Sequence, residues 1–426
     1  MNFIRNRIAA LAVAWLGLGG SLPAQTVAAA GQVVDSGTME HKLLMGYQGW
    51  FACPGDGSPP DRWVHWFRRD QPDAAHATVD CWPDISELDA DELFPTGLRL
   101  PDGSPAKVYS AYTPKTVARH FKWMRDNQLD GVFLQRFTGE LSNPAFFAWR
   151  NRVAENVRAG AEKYGRVFAI MYDLSGEPVD RVLPGLTNDW NFLTGTLHIT
   201  GSDRYLRQHG KPVVALWGFG FAGRRDTPEQ ALAAIHFFQA AGCTVIGGVP
   251  AHWRTLDHDA QTNAAWAAAF RAFDVISPWS VGRYGDDAGA DHFARDVIVP
   301  DLAAAKRAGR EYMPVIFPGF SWHNLNGGPQ NQIPRRGGAF FWRQVFNAVN
   351  AGCPVLYGAM FDEMDEGTAM FKLAPTKAQA PAGGNFVTLD ADGVTLPADW
   401  YLRLAGAAGK MLRGDIPLSS KMPISP

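Results

Sequence analysis

One phrase recurs along this chain: a helical stretch, a glycine, a short apolar run of strand length, and then a tip of polar and aromatic residues. It is read first in KLLMGYQGWF (residues 42–51), then in GVFLQRF, RVFAIMYDLSG, KPVVALWGFGF, CTVIGGVPAHW, FDVISPWSVGRY, EYMPVIFPGFSWHN and finally PVLYGAMFDEMDEGTAMFK. Near-continuous apolar strands of this kind are buried on both faces, as in parallel sheets whose strands are joined by helices. Eight such units predict an α/β fold, a single-domain (β/α)8 TIM-type barrel over residues 31–426. A doubly wound sheet is the competing arrangement, but it would concentrate its functional tips at one switch point. No Gly-x-Gly-x-x-Gly or Walker pattern opens a helix, which removes the usual nucleotide reading.

The helices are marked by their own signals. Thr113 and Pro114 suit a helix start before Val117, Phe121 and Met124. Thr227 to Gln230 has the form of a capping box. Further helices are expected over 144–164, 203–209, 263–272, 292–308 and 340–350, with Gly131, Gly165, Gly210, Gly242, Gly309 and Gly352 as their C-terminal glycines. Residues 52–112 lack sustained periodicity and read as a long first strand-to-helix loop able to wall a cleft. The tail predicts a small hairpin around Asp392-Gly393 and a closing helix over 399–412.

The first thirty residues have a different character. Arg5 and Arg7 precede an apolar run from Ile8 to Gly20, followed by small residues at Ala24 and Ala28 to Ala30. This is the pattern of a secretory signal peptide (1–30), too short for a stable span, and it places the mature protein in the periplasm or outside the cell. No later segment is long and apolar enough to cross a membrane. Of four cysteines, Cys53 and Cys81 share the loop-rich stretch and are placed to pair in an oxidising compartment, whereas Cys243 and Cys353 open apolar runs and are expected to be free. The net charge of -2 supplies no basic field for nucleic acid and favours a neutral partner. No cofactor or metal motif is present, and nothing in the sequence speaks to oligomeric state.

In a (β/α)8 barrel all strand tips gather on one face, so they are the place to look for chemistry. They bring Tyr47, Gln48 and Trp50, Arg136, Asp173, Trp217, His252 and Trp253, Trp279, and Trp322 with His323. The last strand runs into Asp362, Glu363, Asp365 and Glu366, four acids within five positions, with Gly367 to turn the backbone. Crowded carboxylates cannot all ionise freely, which is how an acid/base catalyst obtains a protonated carboxyl at neutral pH. Acids, hydrogen-bonding groups and flat aromatic faces together fit an oligo- or polysaccharide substrate. Arg136 could pair with one of the acids, and Asp365 could support the others. A solvated acidic turn is the plain reading of an isolated DEMDEG.

The runs FDEMDEGT, PGFSWHN and MGYQGWF resemble glycoside hydrolase family 71/99-like proteins over most of the chain after residue 30. Family 99 endo-α-mannosidases carry Asn-Glu-Trp-His-Glu-Gly-Thr at the end of the last barrel strand. Glu363, Glu366, Gly367 and Thr368 match it, while Asp362, Met364 and Asp365 stand in place of its Asn, Trp and His. The resemblance implies Glu363 as the group that deprotonates a sugar 2-hydroxyl and Glu366 as general acid, then base, in a retaining reaction through a 1,2-anhydro sugar. The related family 71 α-1,3-glucanases invert, so the resemblance leaves both outcomes open. A non-catalytic glycan-binding barrel and a metal-dependent hydrolase are the competing functional classes.

Overall fold

The computed structural model describes residues 33–426; the expected signal peptide lies outside the described residues. Eight strands alternate with eight principal helices. The strands are β1 (Leu43–Tyr47), β2 (Gly131–Phe137), β3 (Val167–Asp173), β4 (Lys211–Trp217), β5 (Thr244–Pro250), β6 (Val275–Trp279), β7 in two pieces (Glu311–Tyr312 and Val315–Ile316) and β8 (Leu356–Gly358). Each is parallel to its neighbours, and β1 pairs with both β2 (Leu44 with Gly131) and β8 (Leu43 with Leu356), so the sheet curls toward closure as a barrel. The last step runs through β7. Its first piece pairs with β6 and its second with β8. Pro314, which has no N–H to give to a ladder, stands at the break.

The helices are α1 (Pro114–Asp126), α2 (Pro144–Tyr164), α3 (Val179–Gly195), α4 (Pro228–Ala240), α5 (Trp266–Ala272), α6 (Asp287–Phe293, passing through a wider turn at Ala294–Ile298 into Val299–Arg307), α7 (Ala339–Asn350) and α8 (Trp400–Arg413). Pro occupies the first position of α1, but the Thr113 side chain makes no cap; its carbonyl accepts from Thr116 and Val117 instead. At α4 the expected capping box forms, with Thr227 Oγ1 and Gln230 Oε1 each accepting the other's backbone N–H.

Three expectations about the elements are corrected. Residues 203–209 form no helix: Arg207–Gln208 is a short strand antiparallel to the start of β4, and the connecting helix is α3, upstream. The segment holds Pro184 and Gly185, poor helix formers, yet Val182, Leu186, Trp190 and Leu193 are buried at helical spacing, and that packing outweighs propensity. Gly131 is not a helix cap, because Gln128 takes the left-handed conformation after α1. Gly131 begins β2 so close to β3 that a Cβ would lie 2.0 Å from the Val167 carbonyl oxygen. Around Asp392 there is a turn without strand pairing, held by the Asp392 carboxylate, which accepts from Asn331 Nδ2 and Arg336 N.

The long loop after β1 is ordered by its own contacts. It contains an antiparallel hairpin (Phe94–Arg99 with Pro105–Val108) and buries Trp66, Trp82 and Tyr109. The cysteines in it do not pair. All four are free and buried, with Cys53 donating to the Tyr109 carbonyl at 3.3 Å and Cys81 beside Arg335.

Candidate active site

The acidic segment is a tight turn, not a continued strand. Gly367 N–H bonds to the Met364 carbonyl, and Thr368 and Ala369 both donate to the Glu363 carbonyl. Gly367 has φ +64°, and a Cβ there would sit 2.8 Å from the Ser321 backbone nitrogen, so both the left-handed turn and the close pass against the loop after β7 require glycine. The long loop after β1 braces the same turn. The Met364 carbonyl accepts from Asp80 and Cys81, and the buried Asp80 carboxylate accepts from Ser321 Oγ, His323 N and Asn324 N.

Each acid has its own surroundings. Asp362 is buried and receives the backbone N–H groups of Gln48 (2.7 Å) and Gly49 (2.9 Å). Burial raises its pKa to about 7 against the pull of those donors. Glu363 accepts from Gln48 Nε2 at 2.8 Å and from Thr368 Oγ1 at 3.1 Å. Burial, and then the nearby Glu366 and Asp365 charges, push it well above the usual carboxylate range. Asp365 is fully buried, lies 3.0 Å from His65 Nδ1 and is raised by burial to about 8. Glu366 is partly exposed, and among the described residues no donor reaches its carboxylate. Burial, then Asp365 and Asp173, raise it to about 8.

These acids titrate as a coupled set, so the number of protons they hold matters more than any single value. When the Glu363–Glu366 pair carries one negative charge, Glu363 is its seat. It has two donors that favour the ionised form, while Glu366 has none. Glu366 therefore keeps the proton at neutral pH.

The tip of β1 is clamped from both sides. Arg150, buried on α2, donates to the Gln48 carbonyl and pairs with Glu140. Below the turn, Gln135 Nε2 donates to the Tyr357 hydroxyl at 2.9 Å, which burial and then the Glu363 charge hold un-ionised.

Of the residues expected to bind substrate, Asp173, Trp217, Trp279 and Trp322 are partly exposed at the rim. The Asp173 carboxylate accepts from Ser175 N, and its charge bears on Glu366. Trp217 and Trp279 meet edge to face at 5.4 Å, with Arg224 over the Trp217 ring. A cavity of about 700 Å³ lies between the loops that follow β3 and β4, lined by Leu174, Ser175, Gly218, Phe219 and Arg224 among others. Trp50 is nearly buried, stacked on the His65 ring at 3.7 Å. His323 Nδ1 bonds to the Gly328 carbonyl, and its ring edge meets Asn385.

Others are placed elsewhere. Arg136 has no exposure and pairs with Asp189, which also accepts from the Tyr172 hydroxyl; it touches none of the acids. Tyr47 is buried against His120 Nδ1. Trp253 is buried, its indole N–H bonded to Asp301, and His252 Nδ1 bonds to Asp259. Strand tips alternate between the mouth and the layer outside the strands, and these four follow the second direction or pack under their own loops.

His65 lies beside the acidic turn yet was not among the candidates, and Asp362 was named only as a member of the acidic cluster, with no role of its own. His65 sits in an aperiodic loop, where spacing carries no signal. Burial lowers its pKa to about 3, so beside a protonated Asp365 it is a neutral ring accepting an O–H. Where family 99 has a histidine in the motif, Asp365 here reaches a histidine from the first loop.

The fold and the acidic turn define a (β/α)8 barrel with its polar groups gathered at the C-terminal rim, the architecture of glycoside hydrolase barrels. Among solved structures, the GH99 endo-α-mannosidase from Bacteroides thetaiotaomicron in complex with bis-tris-propane superposes with TM-score 0.60 at 14% identity, covering 89% of this chain and 99% of that one. A second structure of the GH99 endo-α-mannosidase from that organism gives 0.59 at 15% identity, covering 88% and 99%. At such identities the likeness is one of fold. No family model and no curated protein matches the sequence.

Proposed function

We propose that this protein is a secreted glycoside hydrolase acting on an α-linked glycan, with Glu366 as general acid and then base and Glu363 as its charged partner. The observation that carries this reading is the contrast within the acidic turn. Glu363 is held by Gln48 and Thr368, while Glu366 is partly exposed, has no donor among the described residues and is raised to about 8. A carboxyl with its proton retained and its hydrogen-bonding capacity unused suits delivery of that proton to a leaving glycosidic oxygen. Trp217, Trp279 and Trp322, partly exposed at the rim, are the rings available for stacking, and the cavity between the loops after β3 and β4 gives room for neighbouring sugar units. The shared fold with an endo-α-mannosidase supports an α-linked substrate. If Glu363 deprotonates a sugar 2-hydroxyl, as the family 99 resemblance implies, the reaction retains configuration.

The test is reducing-sugar release from a panel of α-mannans, α-glucans and plant α-linked polysaccharides by the parent and by Glu366→Gln. Release by the parent, reduced about 100-fold or more in the variant, is the expected outcome. Equal release by both removes Glu366 from its role. Binding without release by either makes the barrel a glycan-binding protein. The anomer first formed then decides between retention and inversion.

A further inference from the structure

Outside the acidic turn, the described residues contain two groups of His, Asp or Glu side chains whose ligand atoms lie within 4.8 Å of one another. One, Asp89, Asp91 and Glu92, is already neutralised by Lys115 and Arg119. The other is His252, Asp257 and His258, on the loop after β5, and no salt bridge engages Asp257 or His258. Leu256 and His258 both take left-handed backbone angles (φ +57° and +49°), which fold the loop back until the two imidazoles lie 4.5 Å apart.

The histidine at the base is oriented in advance. Asp259 accepts from Ala251 N, His252 N, His252 Nδ1 and Arg283 Nε, all between 2.8 and 3.0 Å. The backbone N–H groups of Ala251 and His252 and the Arg283 Nε–H can only donate, so the Asp259 oxygens serve here as acceptors. The His252 ring thus turns Nδ1 to that carboxylate and its other nitrogen, Nε2, away from it. A carboxylate fixing the far nitrogen of an imidazole is the usual outer support of a metal-bound histidine. The loop itself is pinned: Trp253 Nε1 and Arg254 bind the buried Asp301, Ala222 N donates to the Asp259 carbonyl, and Gln261 N donates to Gly220. Asp257 is exposed, with Oδ1 taken by Thr255 Oγ1.

We propose that His252, Asp257 and His258 form a binding site for a borderline divalent transition-metal ion, of which Zn²⁺ is the representative. Two imidazoles and one carboxylate suit Zn²⁺, Ni²⁺ or Cu²⁺ and not the all-oxygen preference of Ca²⁺ or Mg²⁺. Bonds of about 2.0–2.2 Å require the three donors to close in from their present spacing. The exposed side chains of Asp257 and His258 can do this by rotation, while His252 stays fixed. The site stands apart from the carboxylates of the acidic turn and does not depend on their role.

The experiment is calorimetric titration of the untagged full chain with ZnCl₂, beside His258→Ala, Asp257→Ala and, as a control at the other acidic group, Asp91→Asn. The expected result is one Zn²⁺ per chain, a thermal midpoint raised by the metal, weakening of about tenfold or more in His258→Ala and Asp257→Ala, and no change in Asp91→Asn. Both loop substitutions are at exposed positions, and circular dichroism without metal checks their folding. No stoichiometric binding by the parent, binding unchanged in His258→Ala, or loss of binding in Asp91→Asn instead would each overturn the proposal. A MgCl₂ or CaCl₂ titration that matches the ZnCl₂ one would do the same.

Discussion

Gln48 Nε2 lies 2.8 Å from Glu363 Oε1, so the tip of the first strand holds the carboxylate that follows the last. The same residue gives its backbone N–H to Asp362, and its carbonyl accepts from Arg150 on α2. Strands adjacent in the closed barrel but more than 300 residues apart in sequence thus meet at one side chain.

Replacing Gln48 by Leu removes that donor and leaves a buried carboxylate oxygen without it. A hydrogen bond to a charged group is worth about 1.5–3 kcal/mol. The expected outcome is a roughly ten- to hundredfold fall in kcat/KM on whichever glycan the parent cleaves. Circular dichroism should show the fold intact, because the backbone contacts to Asp362 remain. Unchanged kcat/KM would mean that Glu363 needs no support from β1.

The alkaline limb of activity should follow Glu366, whose proton is lost around pH 8. Asp365 is the largest neighbouring charge that raises it, after burial itself. Asp365→Asn removes that repulsion and eases ionisation of Glu366, so the alkaline limb of kcat/KM should move to lower pH. A shift to higher pH, or none, would show that another group sets the limb.

Stability should carry the same signature. Asp362, Asp365 and Glu366 have folded-state pKa values raised to about 7, 8 and 8 from ordinary values near 4. The folded protein therefore holds more protons than the unfolded chain between those limits, and stability falls as pH rises through the folded values. His65 and His120, lowered by burial to about 3, work in the opposite direction below their ordinary value of 6.5. Between pH 6.5 and 8 the carboxylates act without that opposition. Urea midpoints should fall across this window, and less steeply in Glu366→Gln; parallel slopes would refute the assignment.

Much of the fold was legible because the barrel repeats one physical requirement eight times, and a buried parallel strand cannot avoid a continuous apolar run. The helix between β3 and β4 was not, since Pro184 and Gly185 hide a face that only the packing of Leu186 and Trp190 reveals. In the acidic turn, the crowding of Glu363 and Glu366 was legible because four acids after an apolar run are costly anywhere. His65 was not: its place beside Asp365 depends on how a 60-residue loop folds back over the mouth. Strand tips were identified correctly as positions but not as directions, which is why Arg136, Tyr47 and Trp253 proved to be buried.

The thiols offer a simple check on compartment-independent chemistry. Cys53 is fully buried and burial pushes its thiol up; Cys81 is raised to about 11 and Cys353 and Cys243 to about 12 by the same cause. The folded protein should leave a thiol reagent at pH 8 unreacted, and release four equivalents on unfolding under non-reducing conditions. Two equivalents would reveal a Cys53–Cys81 disulfide.

Arg136 provides the last prediction, and it separates structure from substrate binding. Its guanidinium is fully buried, with Nε on Asp189 Oδ2 at 2.8 Å, Nη1 on the Arg150 carbonyl and Nη2 on Asn151. Asp189 in turn holds the Tyr172 hydroxyl, so β2, β3, α2 and α3 meet at this one pair. Arg136→Met leaves the Asp189 carboxylate buried without its cation, which costs about 3–5 kcal/mol. Arg136→Met with Asp189→Leu removes both charges and should recover most of that loss, because the penalty lies in the stranded ion and not in the missing attraction. Neither variant should change KM in protein that remains folded. A rise in KM at undiminished stability would return Arg136 to the substrate site; the expected result is a lowered urea midpoint in the single variant, restored in the double.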